Sequence, residues 1–208
     1  MQVLLINGST RRNGCVYTAL GEIAGVLNKE GVETEILQMS SRPVYDCKAC
    51  GSCENGAMQC AVKDDYVNEW IKKAAAADGF VVGSPVYYAH PTGQLLSVPD
   101  RMFYAAMDAF RYKPAASVVT ARRAGTIASL DVINKFFLDA CMPIVSSTYW
   151  NMSHGNSPEQ IKKDEEGLQT MRNIGLNMAW LLKCINAGKQ AGIGVPSPEM
   201  SVWTNFIR

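Results

Sequence analysis

Val3-Leu4-Leu5-Ile6-Asn7-Gly8-Ser9-Thr10-Arg11-Arg12-Asn13-Gly14 decides how this chain is read. Four apolar residues in a row, β-branched at both ends, suit a strand covered on both faces. The turn formers Asn7 to Gly14 then stop it. Tyr17, Leu20, Ile23, Ala24 and Leu27 follow at three- and four-residue spacing, one face of a helix that Asn28 to Gly31 ends. Strand, turn and helix in that order open a parallel α/β sheet.

The same alternation repeats outward from this start. Val32–Met39 reads as a second strand. Asp64 and Asp65 cap a helix running to about Ala77, and Gly79–Gly83 is a third buried strand. Gly93–Phe110 has helical spacing, with Pro99 as a point of kinking or breakage. Ala115–Thr120 is a fourth strand, and Thr126 opens the helix that follows it. Met142–Ser146 reads as a fifth strand, and Trp150–Asn156 as a loop. Ser157-Pro158-Glu159 begins a final helix to about Ile185. Gly188–Pro198 reads as a flexible tail and Trp203–Arg208 as a docking segment. The βαβαβαβαβα order predicts a doubly wound five-stranded parallel sheet in a three-layer α/β/α fold, with the flavodoxin-like strand order 2-1-3-4-5. One domain is expected over residues 1–186, with a cysteine-rich insertion at 40–63 and a tail at 187–208.

Composition limits the function classes. The 208 residues are 48% hydrophobic and 19% charged, a globular balance. Twenty basic against 19 acidic residues leave a net charge of +1, with no basic field to hold nucleic acid. No apolar run is long enough to span a membrane, and Met1–Ile6 lacks a signal peptide's basic start. The seven cysteines are an odd number without a secretion signal, which points to a reducing, cytoplasmic setting and against a disulfide framework. His90 and His154 sit in no nucleophile or metal-ligand arrangement, which speaks against a hydrolase.

Ligands of such sheets lie beyond the carboxyl ends of the strands. Three turns are therefore candidates. In Gly8–Gly14 the small residues let backbone N–H groups converge at a helix N-terminus, Ser9 and Thr10 bring hydroxyls, and Arg11 or Arg12 brings a guanidinium fork for phosphate. It is neither a Walker loop nor G-x-G-x-x-G. Gly83–Tyr88 places Pro85 and two tyrosines where rings would flank a flat conjugated ligand, or simply close the end of the sheet. Thr120–Gly125 carries Arg122 and Arg123, placed to meet an anionic ligand or to stand as a solvated turn.

Cys47, Cys50, Cys53 and Cys60 form a C-x2-C-x2-C-x6-C run. The first three have cluster-ligand spacing, whereas six residues precede the fourth and no proline follows it. An iron–sulfur cluster, a zinc ion and a loop of free thiols all remain open. Cys141 and Cys184 fall on apolar helix faces and read as core.

Gly8–Gly14, Gly83–Tyr88, Gly93-Gln94-Leu95 and Asp100-Arg101 together resemble the NADPH-dependent FMN reductase family over residues 1 to about 155. The cysteine run followed by Asp64-Asp65 is similar to its iron–sulfur flavoprotein branch. The resemblance implies a flavodoxin-like fold, bound FMN, and a homodimer or homotetramer with the flavin near a subunit interface, completed by Trp150 and Asn151. It implies that Ser9, Arg11, Gly14 and Cys15 surround the FMN phosphate, with Thr10 and Val16 beside them. Ser84, Pro85, Val86, Tyr87 and Tyr88 would flank the ribityl chain and ring, and Thr120, Arg122, Arg123 and Gly125 would approach the ring's polar edge. Cys15-Val16 stand where family members commonly carry hydroxyl or amide side chains, which leaves the phosphate to backbone donors there. The implied activity is ping-pong hydride transfer from NAD(P)H through FMN to a small-molecule acceptor or redox protein. A [4Fe–4S] cluster on Cys47, Cys50, Cys53 and Cys60, exchanging electrons with FMN, is the alternative within the same class. A non-catalytic flavodoxin-fold binding module is the alternative outside it.

Overall fold

In the computed structural model, which describes residues 1–202, 204 and 206, β1 (Gln2–Asn7) is the second of five strands. Its side chains alternate between two buried layers. Val3 and Leu5 pack under α1 (Cys15–Lys29) and α6 (Glu165–Gln190). Leu4 and Ile6 pack with the layer of α2 (Val67–Ala76), α3 (Gly93–Phe110) and α4 (Thr126–Asp139). That double burial explains the unbroken apolar run. With β2 (Glu33–Gln38), β3 (Gly79–Pro85), β4 (Ala115–Ala121) and β5 (Met152–His154), the sheet is wholly parallel in the order β2-β1-β3-β4-β5. This is the expected doubly wound, flavodoxin-like arrangement. All five strands end at one rim. No helix among the described residues is long and apolar enough to cross a membrane.

The edge strand differs from its expected position. Met142–Ser146 contributes only one bridge, Ala115 to Ile144, while Met152–His154 pairs in register with Val119–Ala121. The edge is split: Pro143 O and the Val145 amide bond Ala115 at the start of β4, and pairing resumes only where the Val119 amide donates to Asn151 O. The segment read as a loop is thus the strand that reaches the rim.

The final helix is also two. Ser157 caps a short α5 (Pro158–Ile161), and Asp164 caps α6 by accepting from the Gly167 amide. Asp164 also accepts from the His154 amide, which ties α6 to β5. α6 continues to Gln190, past the expected end near Ile185. In α3 the irregular backbone falls at Ala106 (φ −150°, ψ 24°), a small buried residue, and not at Pro99.

Cys141 and Cys184 are exposed, contrary to the core reading. Cys141 follows α4 in a left-handed turn (φ 53°), and Cys184 lies off the inward stripe Met171, Ile174, Met178 and Leu182. Asn151 is buried and donates to Val145 O, bracing the edge of the sheet, and Trp150 is exposed. Trp203, Asn205, Ile207 and Arg208, on which the expected docking of the tail rests, lie outside the described residues.

Candidate functional site

The turn after β1 is held from three sides. The Gly8 amide donates to Gly83 O (2.8 Å), and Gly8 O accepts from Thr92 Oγ1 (3.0 Å). Asn7 Nδ2 donates to Gln38 Oε1, Gln38 Nε2 donates to Ser9 O, and the Ser9 amide donates to Asn7 Oδ1. Ser9 Oγ accepts from the Arg11 amide (3.2 Å), curling the turn toward α1. No side chain caps α1 at Gly14, so the first-turn N–H groups keep their donor capacity where Cys15 and Val16 meet open space.

The turn after β3 is anchored by Ser84, whose buried hydroxyl donates to Pro85 O and accepts from the Thr92 amide. Tyr87 and His90 then pair in a tight hairpin whose two central residues, Tyr88 and Ala89, have φ of 52° and 59°. Non-glycine residues in that region are strained, and the strain projects Tyr88 fully into solvent. Gly125 (φ 90°) packs against this hairpin so closely that a Cβ would lie 2.5 Å from Ala89 Cα. The Val86 amide donates to Thr120 O, and the Gly155 amide to Ala121 O. The turns after β1, β3, β4 and β5 thereby become one rim.

A cavity of about 210 Å³ opens in that rim. Among the expected residues, Ser9, Arg11, Cys15, Val16, Pro85, Val86, Tyr87, Thr120 and Arg122 line it. Ser84 lies buried beneath, Gly14 ends the turn, and Gly125 buttresses the hairpin. Thr10, Tyr88 and Arg123 are exposed and off the lining. Ala121, within the expected Thr120–Gly125 turn, also lines the cavity, as do Gly155 and Asn156, which were not anticipated because β5 was placed ten residues early. Burial pushes the Cys15 thiol up, against the pull of the Arg11 charge.

A second, separate cavity of about 120 Å³ is lined by Cys47, Cys50, Cys53 and Cys60 together with Lys48, Arg101 and Tyr104. The loop wraps it through left-handed residues at Ala49, Gly51, Gly56 and Met58. Burial raises the Cys53 thiol, and the neighbouring Cys47, Cys60 and Cys50 raise it further. Hydrogen bonds from Ser52, with Lys48 nearby, lower that of Cys50. Among the described residues, no three Cys, His, Asp or Glu side chains converge on one ion-sized point. Cys47, Cys50, Cys53 and Cys60 line one cavity, and thiolates are the donors that a soft metal centre takes.

One stripe of α3 staples this loop. Gln94 Nε2 donates to Arg42 O (2.7 Å), and Ser97 Oγ donates to Asp46. One turn on, buried Arg101 pairs with Asp65 and donates Nε–H to Cys60 Sγ (3.3 Å). From α2, Asn68 holds the Cys60 backbone. Burial pushes the Asp65 carboxyl up, but Arg101 and the Val67 amide outweigh it and hold the group below the usual carboxylate range. Neither Arg101 nor Asn68 was assigned a role from the sequence. Asp100-Arg101 was visible only as part of a family likeness.

Comparison with known proteins agrees with this geometry. An iron-sulfur flavoprotein of Methanocaldococcus jannaschii is 32% identical over 193 residues, covering 89% of this chain and 99% of its own. An iron-sulfur flavoprotein of Methanosarcina thermophila is 28% identical over 195 residues, covering 91% and 99%. A solved archaeal flavodoxin superposes with a TM-score of 0.59 at 14% identity, covering 88% and 99%, which is a likeness of fold. The model of the NADPH-dependent FMN reductases matches residues 1–157, the stretch that contains every strand and every rim turn just described, and this chain belongs to that family.

Proposed function

We propose that the rim cavity binds FMN and that the protein is an NAD(P)H-dependent flavoprotein oxidoreductase whose four-cysteine loop holds a [4Fe–4S] cluster. The observation that carries the flavin reading is the convergence of four strand-end turns on one cavity, with an uncapped helix N-terminus at one side and Arg11 and Arg122 on its wall. A phosphate dianion matches that donor set: backbone N–H groups of the first turn of α1, the Arg11 fork and the positive end of the helix. Pro85, Val86 and Tyr87 offer an apolar and aromatic wall for a flat ring.

FMN supplies two-electron acceptance from a nicotinamide and one- or two-electron release, and a cluster supplies one-electron exchange. The residues of the chain position these groups. Ser9 and Asn7 fix the phosphate turn, Ser84 and Thr92 fix the ring wall, and the α3 stripe fixes the cysteines. No side chain is required as acid or base. The relatives named iron-sulfur flavoproteins and the four cysteines lining one cavity support the cluster. Cys50, at the exposed side of the loop, gives an outside electron carrier its approach. A homodimer or homotetramer that covers the projecting Tyr88 fits the same reading.

The test is anaerobic purification followed by a visible spectrum before and after NADPH, with FMN, iron and sulfide counted per chain. One FMN and about four irons, both bleached by NADPH, are expected. Colourless protein that takes up neither group would overturn the proposal. One FMN with no iron would leave a flavin-only reductase.

A further inference from the structure

The Arg101 guanidinium uses all five of its N–H groups. Nη1 donates to Asp65 Oδ2 and Tyr45 O, Nη2 donates to Asp65 Oδ1 and Val62 O, and Nε donates to Cys60 Sγ. Both charged side chains of the pair are fully buried. Such a pair is a poor way to gain stability, since desolvation offsets most of the attraction. A brace for the loop would need only the contacts to Tyr45 O and Val62 O. The remaining donor instead points at a sulfur. Asp65 closes the fork side of the guanidinium, so its Nε edge is the positive end that faces Cys60. Lys48 is the other cation lining this cavity, and it stands on the exposed loop.

We infer that Arg101 is a positioning residue for the metal centre: it fixes the Cys60 sulfur and, through the Nε–H bond, raises the reduction potential of the cluster held by Cys47, Cys50, Cys53 and Cys60. The inference rests on the cluster reading given above. Taking up an electron adds a negative charge to a group already anionic through its four thiolates. A donor on one ligand sulfur stabilises that reduced form more than the oxidised one. The cavity that receives FMN shares no lining residue with the cysteine cavity, so the flavin potential serves as an internal control.

The experiment compares the holoprotein with Arg101→Lys and with the double variant Arg101→Gln/Asp65→Asn. The double variant removes both charges together and leaves no unpaired buried ion. Each is purified anaerobically, FMN and iron are counted, and the cluster and flavin potentials are read by EPR-monitored and optical titration. The cluster potential is expected to fall in the order wild type, Arg101→Lys, double variant, with the flavin potential unchanged. Iron lost from the double variant but kept by Arg101→Lys, in protein that still holds FMN, supports the same assignment. Equal cluster potentials in all three proteins overturn it, as does equal iron loss from both variants, which would make the pair a brace alone. Wild-type protein that holds FMN but never iron overturns the cluster reading and the role of Arg101 together. A wild-type cluster with no shift in the variants overturns only the latter.

Discussion

Asn68, near the start of α2, holds Cys60 by both of its backbone groups: the Cys60 amide donates to Oδ1 (2.8 Å), and Nδ2 donates to Cys60 O (3.0 Å) and to Val62 O (2.8 Å). Cys60 is the cysteine separated from the other three by the longest interval, and it is the one fixed to a helix. The remote thiol is therefore placed by the fold, while the other three are carried on the loop.

Asn68→Ala is expected to lower the iron content per chain while leaving FMN at one per chain. It strands three backbone groups whose bonds contribute about 0.5–1.5 kcal/mol each. Part of this is recovered by water, so a loss of roughly 1–3 kcal/mol in urea unfolding is expected. Iron, sulfide and flavin assays on one preparation check it. Iron and flavin falling together would show that the whole sheet, and not the loop, had been weakened.

Gly8→Ala tests how the rim is assembled. A Cβ at Gly8 would lie 2.6 Å from Gly83 O and 2.6 Å from Leu95 Cδ2. The leucine can rotate, but the strand carbonyl cannot, so the turn must lift. Overpacking of this kind costs about 1–3 kcal/mol. Because Gly8 joins the first turn to β3 and to the α3 N-cap Thr92, the lift is expected to appear mainly as weaker FMN binding, about tenfold for each 1.4 kcal/mol. Quenching of FMN fluorescence measures it, and an unchanged dissociation constant would show that this turn does not touch the cofactor.

What the sequence made legible follows from the range of each signal. β1 and α1 were readable because an unbroken apolar run and a three-to-four spacing are local patterns, and the strand order followed from repeating that unit. β5 was not, because Met152-Ser153-His154 is three residues of mixed polarity that pair only through the backbone of β4. Losing it hid Gly155 and Asn156. The Arg101–Asp65 pair joins residues 36 apart across two elements, and no periodicity marks it. Cys184 was misread because α6 is buried only along one stripe, and a moderately apolar outer face looks like core when its register is unknown.

Arg11→Ala is expected to separate FMN from riboflavin. If the phosphate rests at the first turn of α1, the Arg11 guanidinium adds one charge-assisted contact, about 1.5–3 kcal/mol, to FMN and none to the phosphate-free ligand. FMN should then bind roughly ten- to a hundredfold more weakly to the variant, with riboflavin unaffected. Titration calorimetry with both ligands decides the point. Equal losses would move Arg11 from the phosphate to the ring.

Asp65 makes a prediction about acid. Its carboxyl sits below the usual range in the folded protein because Arg101 and the Val67 amide favour the charged form over the cost of burial. A depressed folded value contributes stability that is complete above the unfolded value of about 3.9 and is lost as pH falls through the folded value. Asp65→Asn leaves Arg101 buried without its counter-charge, so a loss of about 3–5 kcal/mol is expected at pH 7. The gap between wild type and variant should narrow below about pH 4, as the unfolded wild-type chain takes up a proton that the folded carboxylate still excludes. Urea midpoints at pH 7, 4 and 3 measure the gap. A gap that stays constant across that range would mean that the folded and unfolded chains bind the proton alike, and would overturn the depressed folded value. The Arg101→Gln/Asp65→Asn protein checks the source of the pH 7 loss, because it removes the cation that needs a partner and should lose far less stability than Asp65→Asn.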